Sequence, residues 1–203
     1  MRRKKIIVFT SCHYYYTAIE CILNEKLNSS EDVIYYPVSL LTAVKNDDGT
    51  QLILWPQADR FIFVLQNIND LCVFLRFASD VKNSRYLNQE RITIIGKENI
   101  FSLLVLCYKN IDPQRFIPED CTVKQLDDYL HACISQKRLT VKNRMKSRLA
   151  RCQMEVLISL LAGRRAKRDA QEKNKSIKTI YGLRQKALNK LNCQNIQDLY
   201  RFL

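Results

Sequence analysis

Between residues 176 and 191 the chain sets Lys178, Thr179, Tyr181, Gln185, Lys186 and Asn189 opposite an apolar stripe of Ile180, Leu183, Ala187, Leu188 and Leu191. At helical spacing this gives one face for a core and one face of hydrogen-bonding and cationic groups. The carboxamides of Gln185 and Asn189 have the paired donor and acceptor that match an adenine edge in a major groove. Lys178 and Thr179, near the helix start, suit phosphate. Gly182 lets such a helix approach a groove closely, at about 1 kcal/mol of helix propensity. The chemistry on offer is recognition of a polyanion. No nucleophile, acid and base constellation is present, nor any glycine-rich phosphate loop in a chain with 4 glycines, so no enzyme activity is expected.

Charge is partitioned in the same sense. Residues 1–136 carry 15 Lys and Arg against 16 Asp and Glu, while residues 137–203 carry 18 against 4, so nearly all of the net +13 lies in the tail. A neutral front and a basic tail are what a chain shows when only its C-terminal part meets a polyanion. The 8 cysteines are scattered, with no CxxC and no Cys/His cluster, which leaves no metal site or cofactor to expect. They read as reduced, mostly buried small hydrophobes. The apolar run of residues 6–9 after a basic start is too short for an export segment and reads as a first strand. No stretch is long enough to span a membrane.

The front part alternates short apolar runs with helical patterns, which predicts a layered α/β domain. Strands are predicted at 6–10, 33–36, 61–65, 92–95 and 115–117, and helices at 14–27, 68–78, 99–109 and 122–135. The last opens with a capping box, Thr122 with Gln125, and puts Val123, Leu126, Leu130, Cys133 and Ile134 on one face. Asp47-Asp48-Gly49 reads as a tight turn, and residues 51–55 as either an extra strand or part of a second helix. The helix at 100–108 is apolar almost all round, and its leftover face is a candidate dimer surface. His13, His131 and the tyrosines at 14–16 read as structural.

Beyond residue 151 the pattern becomes wholly helical. One apolar stripe stops at Gly163, Ser176 opens the next helix, and Asn195 can cap a last one with Asp198 in its first turn. Leu149, Glu155-Val156-Leu157, Leu160, Ala162-Gly163, Lys167, Ala170, Ser176, Lys178-Thr179-Ile180 and Lys190-Leu191 stand in an order and spacing that resembles the LuxR-type helix-turn-helix DNA-binding domain without insertion or deletion. The resemblance implies a recognition helix at 177–191 in the major groove, with Lys175, Ser176, Lys178, Thr179, Tyr181, Gly182, Arg184, Gln185, Lys186 and Asn189 as the DNA-binding residues. It also implies a final helix that contributes to dimerisation. Some positions depart from the pattern. Asp169, Lys173 and Lys175 stand where the family has apolar residues, so the helix at 166–174 offers the core only Ala166 and Ala170 and is expected to pack poorly. Ala150 replaces a hydroxyl cap, and Leu183 stands where a histidine is common.

A tail of this type behind alternating strands and helices resembles a response regulator, whose receiver needs acidic residues after the first strand, an aspartate after the third and a lysine after the fifth. The chain has Ser11-Cys12, Leu65-Gln66 and Pro118-Glu119 there, which leaves no phosphoacceptor and no metal site. The expected fold is therefore α/β: a degenerate receiver-like, doubly wound parallel sheet at 1–136, a basic linker at 137–148, and a small all-α helix-turn-helix domain at 149–203. The expected function is a phosphorylation-independent bacterial transcription regulator, cytoplasmic and associated with the nucleoid. It would bind double-stranded DNA as a homodimer or as a heterodimer with a related regulator, without a small-molecule ligand or membrane. The alternative is an adaptor that modulates another regulator by heterodimerisation and reads little or no DNA itself.

Overall fold

The computed structural model describes residues 4–26, 31–37, 44–45, 51–52, 57–80, 91–135 and 145–202. The front part runs β1 (Lys4–Thr10), α1 (His13–Lys26), β2 (Glu31–Pro37), β3 (Val44–Lys45), β4 (Gln51–Leu52), β5 (Arg60–Leu65), α2 (Ile68–Ser79), β6 (Ile92–Gly96), α3 (Glu98–Cys107), β7 (Tyr108–Lys109), β8 (Phe116–Pro118) and α4 (Val123–Ser135). Five of these strands form one parallel sheet in the order β2-β1-β5-β6-β8, the doubly wound arrangement expected from the sequence. Helices cover both faces, which is why β6 is buried along its length and β5 everywhere but Arg60.

Alternation along the strands divides the core in two. Ile7, Phe9, Phe61, Phe63 and Leu65 face α2 and α3, with Phe9 stacked on Phe63 at 4.7 Å and Phe74 edge-on to Phe63 at 5.0 Å. Ile6, Val8, Ile62, Val64, Ile95 and Ile117 face the opposite way, onto Ile19 and Leu23 of α1 and Leu126 and Leu130 of α4.

Residues 51 and 52 are strand, paired antiparallel with β3, so an extra strand replaces a second helix at that point; the proposed turn at 47–49 lies outside the described residues. The Thr122 and Gln125 capping box forms, each backbone N–H donating to the other's side chain at 2.8 and 3.3 Å. Val123, beside it, is 74% exposed rather than part of the buried face. On α3, Phe101 stacks on Phe116 at 4.4 Å and Leu106 packs against the core, so the expected leftover apolar face is partly covered within the chain, with Val105 still 36% exposed.

The C-terminal part comprises β9 (Lys146–Ser147), α5 (Arg151–Leu161), α6 (Ala166–Glu172), α7 (Ile177–Lys190) and α8 (Ile196–Tyr200). The first three helices close in the same way. A left-handed residue, Gly163 after α5, Asn174 after α6 and Asn192 after α7, lets the next backbone N–H reach back into the last turn: Arg164 to Ser159, Lys175 to Ala170 and Cys193 to Leu188, each at 2.9 Å. Glycine and asparagine tolerate this conformation best, so their placement fixes three sharp turns in fewer than forty residues.

The core does not part between the two halves. Met145, Leu149, Met154, Leu157 and Ile158 belong to the same buried cluster as Phe74, Leu75, Cys107 and Tyr108. Met145 to Arg148 fall in the stretch read as linker, yet β9 pairs antiparallel with β7, Tyr108 opposite Ser147 and Lys109 opposite Lys146. The Arg148 N–H donates to the Cys107 carbonyl at 2.8 Å, and the Cys72 thiol of α2 lies 3.8 Å from the Ile158 carbonyl of α5.

Candidate nucleic-acid interface

α7 is set by its two ends. Ser176 accepts from the Thr179 N–H at 3.1 Å and shares a hydroxyl hydrogen bond with Thr179 Oγ1 at 2.8 Å, and the Asn192 turn stops the helix. Ile180, Ala187 and Leu188 are buried, and Leu183 packs on Val156, Ala166 and Ala170. Lys175, Ser176, Lys178, Thr179, Tyr181, Gly182, Gln185, Lys186 and Asn189 all remain exposed on one basic surface. The docking of α5 on α2 does not cover this face. These nine of the sequence-predicted residues lie together, with Tyr181 61% exposed at the centre of the helix.

Arg184 is the correction. Its Nη2 donates to Asp169 Oδ2 at 2.7 Å and to the Arg164 carbonyl at 2.7 Å, and its side chain is 10% exposed. It ties α7 to α6 and cannot reach a groove. The signal was present in the sequence: Ile180, Arg184, Ala187 and Leu188 are spaced i, i+4, i+7 and i+8, the period of the buried stripe.

The same pair overturns the expectation that α6 packs poorly. Asp169 is fully buried, where it accepts from Ser159 of α5 as well as from Arg184. Lys173 donates to Glu155 of α5 at 2.9 Å. Only Lys175 is simply exposed. α6 is thus held by polar contacts where apolar ones were expected, with Ala166 and Ala170 packed beside them. At the start of α5, Ala150 supplies no capping oxygen, but Gln153 accepts from the Ala150 N–H at 3.0 Å.

Burial pushes the Glu155 carboxyl up, but Lys173 and then Arg151 outweigh it and hold the group below its ordinary value of 4.5. A depressed carboxyl stabilises the fold above its unfolded pKa, and the stabilisation is lost as pH falls through the folded value. Glu155→Gln is therefore expected to cost about 1 kcal/mol or less near neutral pH, because the site is partly exposed, and the difference from wild type is expected to close as acid carries the pH from the ordinary carboxyl value down through the lowered one. Urea unfolding at the two pH values measures it.

The second place that could hold chemistry is the carboxyl edge of the sheet, where strand order reverses between β1 and β5. Ser11 donates to Asp70 Oδ2 at 3.1 Å, the Gln66 N–H donates to the same oxygen at 3.1 Å, and Asn67 Nδ2 donates to Ser11 at 3.1 Å. Asn67 also caps α2. In the sequence Asp70 looks like an ordinary acidic residue in the first turn of a helix. It is 1% exposed, with Oδ1 unpartnered among the described residues. Burial raises its pKa, against the opposing hydrogen bonds from Gln66, Ser11 and Asn67. A raised carboxyl destabilises the fold increasingly as pH climbs from the unfolded to the folded pKa. Asp70→Asn is thus expected to raise the melting temperature near neutral pH and to lose that advantage in acid, measured by thermal unfolding across pH.

Among the described residues no helix is long and apolar enough to cross a membrane. No protein-family model matches the chain, and no curated protein matches it in sequence. Similarity is found among solved structures. The two-component response regulator RcsB in a complex with DNA matches with a TM-score of 0.52 and 18% identity, covering 100% of this chain and 99% of that one. RcsB from Salmonella enterica serovar Typhimurium, bound to the rprA promoter in the presence of a beryllium fluoride phosphomimetic, gives 0.49 and 18%, covering 98% of each chain. The chain thus has the fold of the first of these, a receiver-like α/β domain followed by a small helical helix-turn-helix domain.

Proposed function

We propose that the chain is a transcription regulator that binds duplex DNA through the exposed face of α7 and works without phosphorylation. The observation that carries this reading is the free, basic face of a capped helix whose opposite face is locked into the core. The RcsB structure that shares the fold was solved on DNA, which supports the same use of the fold here. Phosphorylation independence rests on Ser11, Cys12, Gln66 and Glu119 at the receiver positions, and on Asp70 being closed off from solvent. Dimerisation, with itself or a related regulator, would give two such helices to a site and would use exposed apolar groups such as Val123 and Tyr129 of α4 or Tyr200 of α8. Asp169 and Lys173 would favour the adaptor reading if, at core positions, they kept α6 from packing, but both are paired.

Retention of genomic fragments by the purified protein at moderate salt, with non-specific competitor and with or without candidate partner regulators, tests this. Selective retention is the expected result. Uniform retention that vanishes with salt would contradict sequence-specific regulation, and selectivity only in the presence of a partner would favour the adaptor. Stable labelling by acetyl phosphate would contradict phosphorylation independence.

A further inference from the structure

The two carboxamides on α7 are not independent. Gln185 Nε2 donates to Asn189 Oδ1 at 2.9 Å and to the backbone carbonyl of Gln194 at 3.3 Å. A backbone carbonyl only accepts, so the Gln185 atom that faces it is the amide nitrogen. That nitrogen in turn meets only an acceptor, so the Asn189 atom beside it is Oδ1. Orientation of both side chains follows from one fixed main-chain oxygen. Both hydrogens of the Gln185 amide are then engaged, and its one free hydrogen-bonding atom is the acceptor Oε1. Asn189 is left in the converse state, with its Nδ2 hydrogens free to donate.

Resting on the DNA-binding reading of α7, we propose that Gln185 and Asn189 read the major groove as one coupled pair, an acceptor followed by a donor. Gln185 then selects an exocyclic amine, adenine N6 or cytosine N4, on the strand it contacts, and rejects the keto oxygens of guanine and thymine there. Asn189 donates to a keto oxygen or a purine N7 at a neighbouring position. This differs from the adenine-only reading of each residue alone, because a glutamine with both amide hydrogens engaged has no donor left for adenine N7. Each mismatch is expected to cost roughly tenfold in affinity, the low end for a specific base contact.

The coupling makes the test distinctive. Full-length protein is used to select bound sequences from a randomised duplex library, with wild type, Gln185→Glu and Asn189→Asp in parallel. Asn189→Asp keeps the acceptor that Gln185 needs and loses the outward donor. It is expected to abolish or invert the preference at one motif position while the amine preference at its neighbour stays. In Gln185→Glu the Asn189 amide turns to donate to the new carboxylate and presents Oδ1 outward. The amine preference at the Gln185 position is expected to remain, and that at the Asn189 position to switch from an acceptor edge, a keto oxygen or purine N7, to an exocyclic amine, so that guanine and thymine are lost and cytosine is gained there. Should each substitution change only its own position, or should a keto base be preferred opposite Gln185, the coupled pair is overturned while DNA reading by α7 stands. A wild-type selection that enriches no sequence overturns both.

Discussion

Replacing Asp169 with alanine is expected to lower the free energy of unfolding by about 3–5 kcal/mol, because Arg184 would be left charged and unpaired beneath the surface. Asp169 is 0% exposed and Arg184 9% exposed, so neither can recover its hydration by a small rotation. The reverse substitution, Arg184→Met, leaves the carboxylate with only Ser159 and should cost a similar amount. The ion pair itself is not expected to be worth that much. Desolvation of two charges takes back most of their attraction, so Ser159→Leu, Asp169→Ile and Arg184→Met introduced together are expected to return to within about 1 kcal/mol of wild type or to exceed it. Denaturant unfolding of the singles and the triple decides the matter. A triple variant as unstable as the singles would show that the pair contributes more than specificity of packing.

Cys72→Asp is expected to have the second large effect and to act between the two halves of the chain. The thiol lies on α2 against the Ile158 carbonyl of α5, with burial pushing its pKa up to about 11. A carboxylate there would face a carbonyl oxygen in a closed apolar contact, at a cost of at least about 3 kcal/mol, whereas Cys72→Ala should cost about 1 kcal/mol. The consequence is separation of α5 from α2. Amide exchange in α5 should speed up, and Cys107, whose thiol burial and then Cys193 push up to about 12, should become reactive to alkylation. Unchanged protection of α5 in the aspartate variant would mean that α2 does not hold it.

The sheet was legible in the sequence because its strands are short apolar runs between helical patterns, and the five parallel strands stand within two residues of their expected bounds. The face of α7 was legible for the same reason, since a period near 3.6 separates Ile180 and Ala187 from Lys178 and Gln185. What could not be read was which polar residues meet across elements. Ser159, Asp169 and Arg184 lie on three helices, and each alone looks like a fault or a surface group; only their convergence makes them a core contact. Asp70 was hidden similarly, because its partners Ser11 and Gln66 come from two strand ends that topology brings together. The stretch around Met145 looked like linker because charge dominates it, while the structure uses its backbone and one buried methionine.

The exposed face of α7 is expected to read duplex sequence. The most direct measurement is equilibrium binding to a selected fragment and to the same fragment scrambled, across a range of salt, for wild type, Lys178→Ala and Gln185→Ala. Wild type is expected to prefer the selected fragment. Lys178→Ala should weaken both duplexes alike and reduce the salt slope by about 1, and Gln185→Ala should erase the preference at its own position, at a cost of about 1–3 kcal/mol, and loosen that at the Asn189 position it orients. Equal affinity of wild type for the two duplexes, or substitutions on this face that leave the preference untouched, would contradict the account.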